Sequence, residues 1–126
     1  MTLPMGRIAV GVDIVAIERI AEMAARWGDR FLLRVYTPDE LAYCQGRAAS
    51  LAARWAAKEA ASKALGCGWL DIKWTDVEVT RLADGQPHLL LHGPAYARAQ
   101  ALGLGQWALS LSHDREYAIA MVVATE

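Results

Sequence analysis

The stretch that most constrains this chain runs from Arg54 to Gly68, Arg-Trp-Ala-Ala-Lys-Glu-Ala-Ala-Ser-Lys-Ala-Leu-Gly-Cys-Gly. Nearly every residue up to Leu65 is a strong helix former, and Gly66 supplies the stop such a helix needs. Leu51, Trp55, Ser62 and Leu65 share one stripe, which predicts a long helix docked on a core. Glu59 and Lys63 sit one turn apart on another face, beside the small side chains of Ala52 and Ala56. Small neighbours would let a ligand or a second chain come close. Taken alone, the Glu59–Lys63 spacing also fits a surface ion pair worth about 0.2–0.5 kcal/mol.

A chain of 126 residues is long enough to bury one core, and we expect a single domain over residues 1–126. Although 55% of it is hydrophobic, no apolar run nears the length of a membrane span. Met1 to Arg7 shows no apolar core behind a basic start, so no export signal is expected. Cys44 and Cys67 are far apart and in no metal-like spacing, which predicts free thiols and a cytoplasmic location. The net charge of −1, from 13 basic and 14 acidic residues, gives no general attraction to nucleic acid or to an anionic membrane.

In chain order, Ile8–Val15 reads as a buried strand, because it is almost continuously apolar and β-branched. Asp13 interrupts it, and a lone carboxylate there is costly without a partner; capping the helix that follows is its simplest use. Residues 16–27 turn helical, with Ile20, Met23 and Trp27 on one face. Arg19 and Arg26 lie nearly in line on that helix, and Arg30 and Arg34 follow, so a basic stripe stands out on a neutral chain. Thr37-Pro38-Asp39-Glu40 carries the marks of a helix start: an N-cap, a proline at the first position and a capping box. Ser50 would open the long helix. Beyond it, Val77–Thr80 and His88–His92 alternate as strands around an Asp84-Gly85 turn, a short helix covers Ala95–Leu102, and Trp107–Leu111 and Tyr117–Ala124 are two more strands joined by a turn at residues 112–115. The expected class is α+β, an antiparallel sheet packed around one long central helix.

Several chemistries are excluded by spacing. His88 and His92 lie on a strand pattern rather than on a helix face, which argues against zinc. Gly103-Leu104-Gly105 lacks the lysine and hydroxyl residue of a P-loop, and no G-x-S-x-G elbow is present. What remains is a set of hard oxygen and cationic groups: Asp13, Glu59, Lys63 and His113. Two carboxylates suit Mg²⁺, while lysine, histidine and backbone N–H groups near Gly66 and Gly68 suit phosphate oxygens. That set points to Mg²⁺-dependent chemistry on a diphosphate.

Val10-Gly11-Val12-Asp13-Ile14 with Arg19-Ile20, followed by Arg54-Trp55-Ala56-Ala57-Lys58-Glu59-Ala60-Ala61-Ser62-Lys63-Ala64-Leu65-Gly66, resembles the two signature motifs of the 4′-phosphopantetheinyl transferases. The short length, with Ser110-Leu111-Ser112-His113 and Glu116-Tyr117-Ala118 near the end, resembles the holo-acyl-carrier-protein synthase branch. The likeness runs from about Ile8 to Val123. It implies that branch's fold and its reaction: the phosphopantetheine arm of coenzyme A moves to a serine of an apo acyl carrier protein, and adenosine 3′,5′-bisphosphate is released.

The same resemblance assigns roles. Asp13 and Glu59 would hold Mg²⁺. Lys63 would neutralise diphosphate oxygens or help the serine lose its proton; Glu59, directly or through a water on the metal, is the other base, with the water preferred. Arg54, Lys63, Gly66, His113 and the turn bearing Gly85 and Pro87 would contact coenzyme A. Arg19, and by extension Arg26, would meet the acidic carrier. Members of this branch are trimers with shared active sites, which would set Asp13 and Arg19 beside Glu59 of a neighbouring chain. Four positions depart from the pattern. Ala9 replaces a first glycine, Trp55 a phenylalanine, Cys67 a threonine and Gln86 a lysine. Trp55 should be a core change, whereas Cys67 and Gln86 fall at the coenzyme pocket. A carrier-binding module without chemistry and a nucleotide phosphohydrolase are the other readings these residues allow.

Overall fold

The computed structural model describes residues 7–126; the N-terminal stretch read for an export signal lies, through residue 6, outside them. Strand β1 (Ile8–Ala16) leads into helix α1 (Ile17–Trp27) and, at once, α2 (Asp29–Val35). Helices α3 (Pro38–Cys44) and α4 (Ala48–Leu65) follow, then strands β2 (Val77–Arg81) and β3 (Pro87–Leu91), helix α5 (Gly93–Ala101), and strands β4 (Gln106–His113) and β5 (Tyr117–Thr125). A three-stranded antiparallel sheet has the order β1-β5-β4, and β2-β3 form a separate hairpin. The α+β expectation holds, and α4 packs against β1 and β5 at the centre of the molecule.

Local chemistry accounts for the element ends. Thr37 Oγ1 accepts from the Glu40 backbone N–H at 3.2 Å, and Glu40 Oε1 accepts from the Thr37 N–H at 2.9 Å, so the capping box forms as read. Gly66 ends α4 in the left-handed conformation at φ 67°. Arg98 of α5 then donates to the Leu65 and Gly66 carbonyls at 2.7 and 3.2 Å, satisfying orphan acceptors at that helix end.

Three expectations need correction. Helix α4 starts at Ala48 with Arg47 as its N-cap, not at Ser50. It is buried nearly all round rather than along one stripe; Ala52 and Ala56 are fully enclosed by their own chain and offer no surface to a ligand or a second copy. Strand β1 is buried on one face only, because Ile8, Val10, Val12 and Ile14 are all exposed on the other. Helix α1 ends at Gly28 as its pattern implies, and α2, whose seven residues are too few to show a period, follows at once.

The surround of α4 explains its small residues. A Cβ added at Gly11 of β1 would overlap the Ala60 carbonyl oxygen and lie 2.7 Å from its carbon. Strand and helix therefore meet backbone to backbone, and only glycine fits. On another side of α4, the fully buried Lys58 ammonium donates to Glu40 Oε1 at 2.8 Å and to the Trp74 carbonyl at 3.1 Å, and also to the Val77 carbonyl. Glu40 Oε2 accepts from the Val79 N–H at 2.8 Å. One ion pair thus joins α3, α4 and the β2-β3 hairpin. Burial pushes the lysine pKa down against the pull of the Glu40 carboxylate.

Replacing Gly11 by alanine should force β1 off α4 and cost about 3 kcal/mol or more, the upper end of overpacking effects. The measurement is the urea midpoint; a midpoint within error of the native chain would contradict the backbone contact.

Candidate functional site

Residues on β1 alternate in direction, so Asp13 shares with Gly11 the face that packs on α4. Two positions beyond the Gly11–Ala60 contact, its carboxylate meets Lys63: the ammonium donates to Asp13 Oδ1 at 3.3 Å and to the Val12 carbonyl at 2.9 Å. Asp13 does not cap the next helix. Ala16 holds that place and makes no side-chain cap bond. Nor does Lys63 pair with Glu59, one turn before it; Glu59 Oε1 instead accepts from the Trp69 indole N–H at 3.2 Å. The chain itself brings Asp13 to the helix that carries Glu59 and Lys63.

This centre fits a hard divalent cation by the nature of its donors. Asp13 Oδ2 and Glu59 Oε2 have no hydrogen-bond partner among the described residues, so each carboxylate keeps one oxygen to offer. One or two carboxylates are what Mg²⁺ usually takes from a protein, its other positions going to water and substrate phosphate. Among the described residues no group of three or more histidine, cysteine, aspartate or glutamate side chains could hold a metal ion, so a cation here would draw on two carboxylates and on ligands from outside the chain. His88 and His92 do not pair; His92 Nε2 bonds Glu78 Oε1 at 3.0 Å instead. Cys44 and Cys67 are both free, as expected.

A second centre lies around Tyr43. The Arg54, Arg81 and Arg47 guanidinium carbons stand 4.2, 4.5 and 5.4 Å from its ring centroid. Arg54 is 2% exposed, donates one bond to the Ser50 carbonyl at 3.3 Å, and buries an Nε with no acceptor. A buried charged donor without a partner is costly. It lines a cavity of about 210 Å³ with Tyr43, Thr80, Arg81 and the carboxylates of Asp39 and Glu78. Arg81 also holds the Gly85 carbonyl, which ties the tip of the hairpin, with Pro87 opening β3, to this cavity.

The structure does not join all these residues. Arg54 and Lys63 are nine positions apart on α4, so at about 100° per residue they project from nearly opposite sides. His113, read as part of a turn, is the exposed last residue of β4; it lies two strands from β1, and its row is one pleat beyond that of Asp13. Arg19, Arg26, Arg30 and Arg34 are exposed and form no salt bridge among the described residues. The Arg19 guanidinium lies 5.9 Å from the Trp55 ring centroid, and that of Arg26 lies 5.0 Å from the Trp27 centroid. Sequence reading missed Arg81, Tyr43 and the Lys58–Glu40 pair. Only Lys58 left a signal, as a charge inside an alanine run.

Residues 9–122 match the family model of the 4′-phosphopantetheinyl transferase superfamily. A holo-[acyl-carrier-protein] synthase of Dehalococcoides mccartyi is 53% identical over 116 residues, covering 92% of this chain and 97% of that protein. One of Gloeobacter violaceus is 50% identical over 117 residues, covering 90% and 89%. The crystal structure of the Helicobacter pylori synthase in complex with coenzyme A superimposes with a TM-score of 0.83 at 32% identity, over 91% of this chain and 98% of that one. The Chronobacterium ammoniagenes complex with coenzyme A gives 0.83 at 34%, over 94% and 97%.

Glu78 borders the arginine cavity and supplies a pH test. Burial raises its pKa, but hydrogen bonds from Thr37 (2.6 Å) and His92 (3.0 Å) outweigh that and hold it below the ordinary 4.5. A depressed folded pKa means stability that is complete above the ordinary value and lost as pH falls through the folded one. The stability gap between the native chain and Glu78→Gln should therefore be flat at neutral pH and shrink on acidification below about 4.5. Urea titrations at stepped pH read it, and a gap that widens in acid would contradict the network.

Proposed function

The chain belongs to the 4′-phosphopantetheinyl transferase superfamily, and from that footing we propose that it moves the phosphopantetheine arm of coenzyme A to a serine of an apo acyl carrier protein. The observation that carries the reading is the meeting of Asp13 with Lys63, one turn from Glu59, in a chain whose relatives are named for this synthesis. The serine oxygen attacks the phosphorus that bears the pantetheine. The bond from that phosphorus to the bridging oxygen breaks, and adenosine 3′,5′-bisphosphate departs with the electron pair.

Asp13 and Glu59 would hold Mg²⁺, which supplies positive charge against the diphosphate and the departing bisphosphate. Lys63 already donates to Asp13 and to a backbone carbonyl. It is more than half exposed, so it can turn to a diphosphate oxygen or take the serine proton, the latter shared as a role with Glu59. Arg54 has a buried donor in need of an acceptor, and a coenzyme phosphate in the cavity would provide one, with Gly85 and Pro87 at the hairpin tip bordering the adenine. Gly66 and His113 complete the coenzyme contacts. The exposed arginines at 19 and 26 would steer and orient an acidic carrier.

Two features support a homotrimer with active sites between chains. The outer face of the three-stranded sheet presents Ile8, Val10, Val12, Ile14, Ile119 and Met121 to solvent, each at least 40% exposed. A continuous apolar face of that kind marks an interface. In addition, Arg54 and Lys63 face opposite ways on one helix, so a second copy would let one coenzyme molecule touch both kinds of group. The reading places the reaction in the cytoplasm, over one domain spanning residues 1–126, in lipid synthesis; no helix among the described residues is long and apolar enough to cross a membrane.

The test is the intact mass of an apo acyl carrier protein after incubation with this chain, coenzyme A and Mg²⁺, beside a tube with chelator. A chelator-sensitive gain of one phosphopantetheine arm is expected; no gain with several carriers that do bind would leave a binding module. Glu59→Gln should lower kcat/KM on the order of a hundredfold or more, as loss of a transition-state charge contact does. Arg19→Glu should instead raise the KM for carrier about tenfold with kcat kept.

A further inference from the structure

Three indoles form a ladder beside the carboxylate centre. Trp55 lies one turn before Glu59 on α4, and its ring stacks on Trp74 at 4.3 Å and 27°. Trp74 stacks on Trp69 at 3.8 Å and 15°. Trp69 then returns to the helix, its Nε1–H donating to Glu59 Oε1 at 3.2 Å. Phe31 of α2 closes the far end, 5.9 Å from Trp55. The ladder leaves α4 at residue 55, passes through the loop beyond it, and comes back at residue 59.

That path matters because a glutamate side chain on a helix has three rotatable bonds and no preferred aim of its own. A single hydrogen bond from a mobile donor would do little to aim it. Here the donor is a ring clamped flat against a second ring, which is clamped against a third that the helix itself carries. We propose that Trp69 is a positioning residue for Glu59: its indole N–H takes Oε1 and leaves Oε2 free for the cation that Asp13 and Glu59 would hold. The inference rests on the transferase reading above, since it needs Glu59 to be a metal ligand. Hydrogen-bond partners behind a metal ligand typically carry 10- to 100-fold in metal affinity. Stacking alone would carry none of that, so ring and N–H must be separated.

Trp69→Phe separates them, because phenylalanine keeps an aromatic face on Trp74 and loses only the N–H. Mn²⁺ serves as the probe, titrated with coenzyme A present and carrier absent so that nothing turns over, and followed by the paramagnetic resonance of the free ion. The expected result is Mn²⁺ binding weaker on the order of tenfold, with an unchanged thermal midpoint. In ¹⁵N-labelled native chain, the Trp69 indole N–H resonance should also move as Mg²⁺ is added. Wild-type Mn²⁺ affinity in Trp69→Phe, or weakening only in step with a lower thermal midpoint, overturns the inference and leaves the transferase reading standing if the native chain still modifies carrier. A native chain that neither binds Mn²⁺ nor modifies carrier overturns both.

Discussion

The contact between Gly11 and Ala60 is the constraint on which the rest of the molecule depends. A glycine in the middle of a strand is ordinarily a loss, because it gives up side-chain packing and chain entropy. In this chain it lets a helix backbone rest directly on a sheet backbone, and the close approach decides what the next residues on that face can reach. Asp13, two positions on, is delivered to Lys63 with no loop in between. The pair sits on a strand and a helix, whose relative position a side chain cannot easily perturb.

The helix in turn is held on its other sides by means suited to each neighbour. Toward β1 and β5 it offers alanine, which keeps the layers close. Toward α3 and the hairpin it offers Lys58, whose ammonium is enclosed with Glu40 and with backbone carbonyls of the strand and its approach. A buried ion pair adds little net stability over a hydrophobic pair of equal size, yet losing one partner is severe. Its contribution is register: the pair matches one helix to one hairpin, and the hairpin carries Arg81, which stands with Arg54 about Tyr43. Hence the arginine-lined cavity and the Asp13–Lys63 pair are placed by the same eighteen-residue helix.

What could be read beforehand was whatever local chemistry decides. The Thr37–Glu40 capping box, the stop at Gly66, the hairpin turn at Asp84-Gly85 and the long alanine-rich helix each follow from neighbours within a few positions. The motif resemblance brought Asp13, Glu59 and Lys63 to notice together. What escaped was decided at long range. Asp13 looked like a cap because its true partner is 50 positions away. Ala52 and Ala56 looked like an open surface because enclosure on every side leaves the same small residues as a docking groove would. Strand β1 read as wholly buried because one of its apolar faces is left to solvent by this chain alone. Tyr43, Arg54 and Arg81 meet across three separate elements, and no spacing announces that.

The stacked tryptophans have an optical consequence. Rings held flat at 3.8 and 4.3 Å couple their electronic transitions, and a twist between them makes that coupling chiral. The chain therefore carries its own dichroic band for the state of the stack. Because Trp55 rides on the long helix while Trp69 and Trp74 belong to the loop that follows it, the band reports the seating of that loop against the helix, without any label.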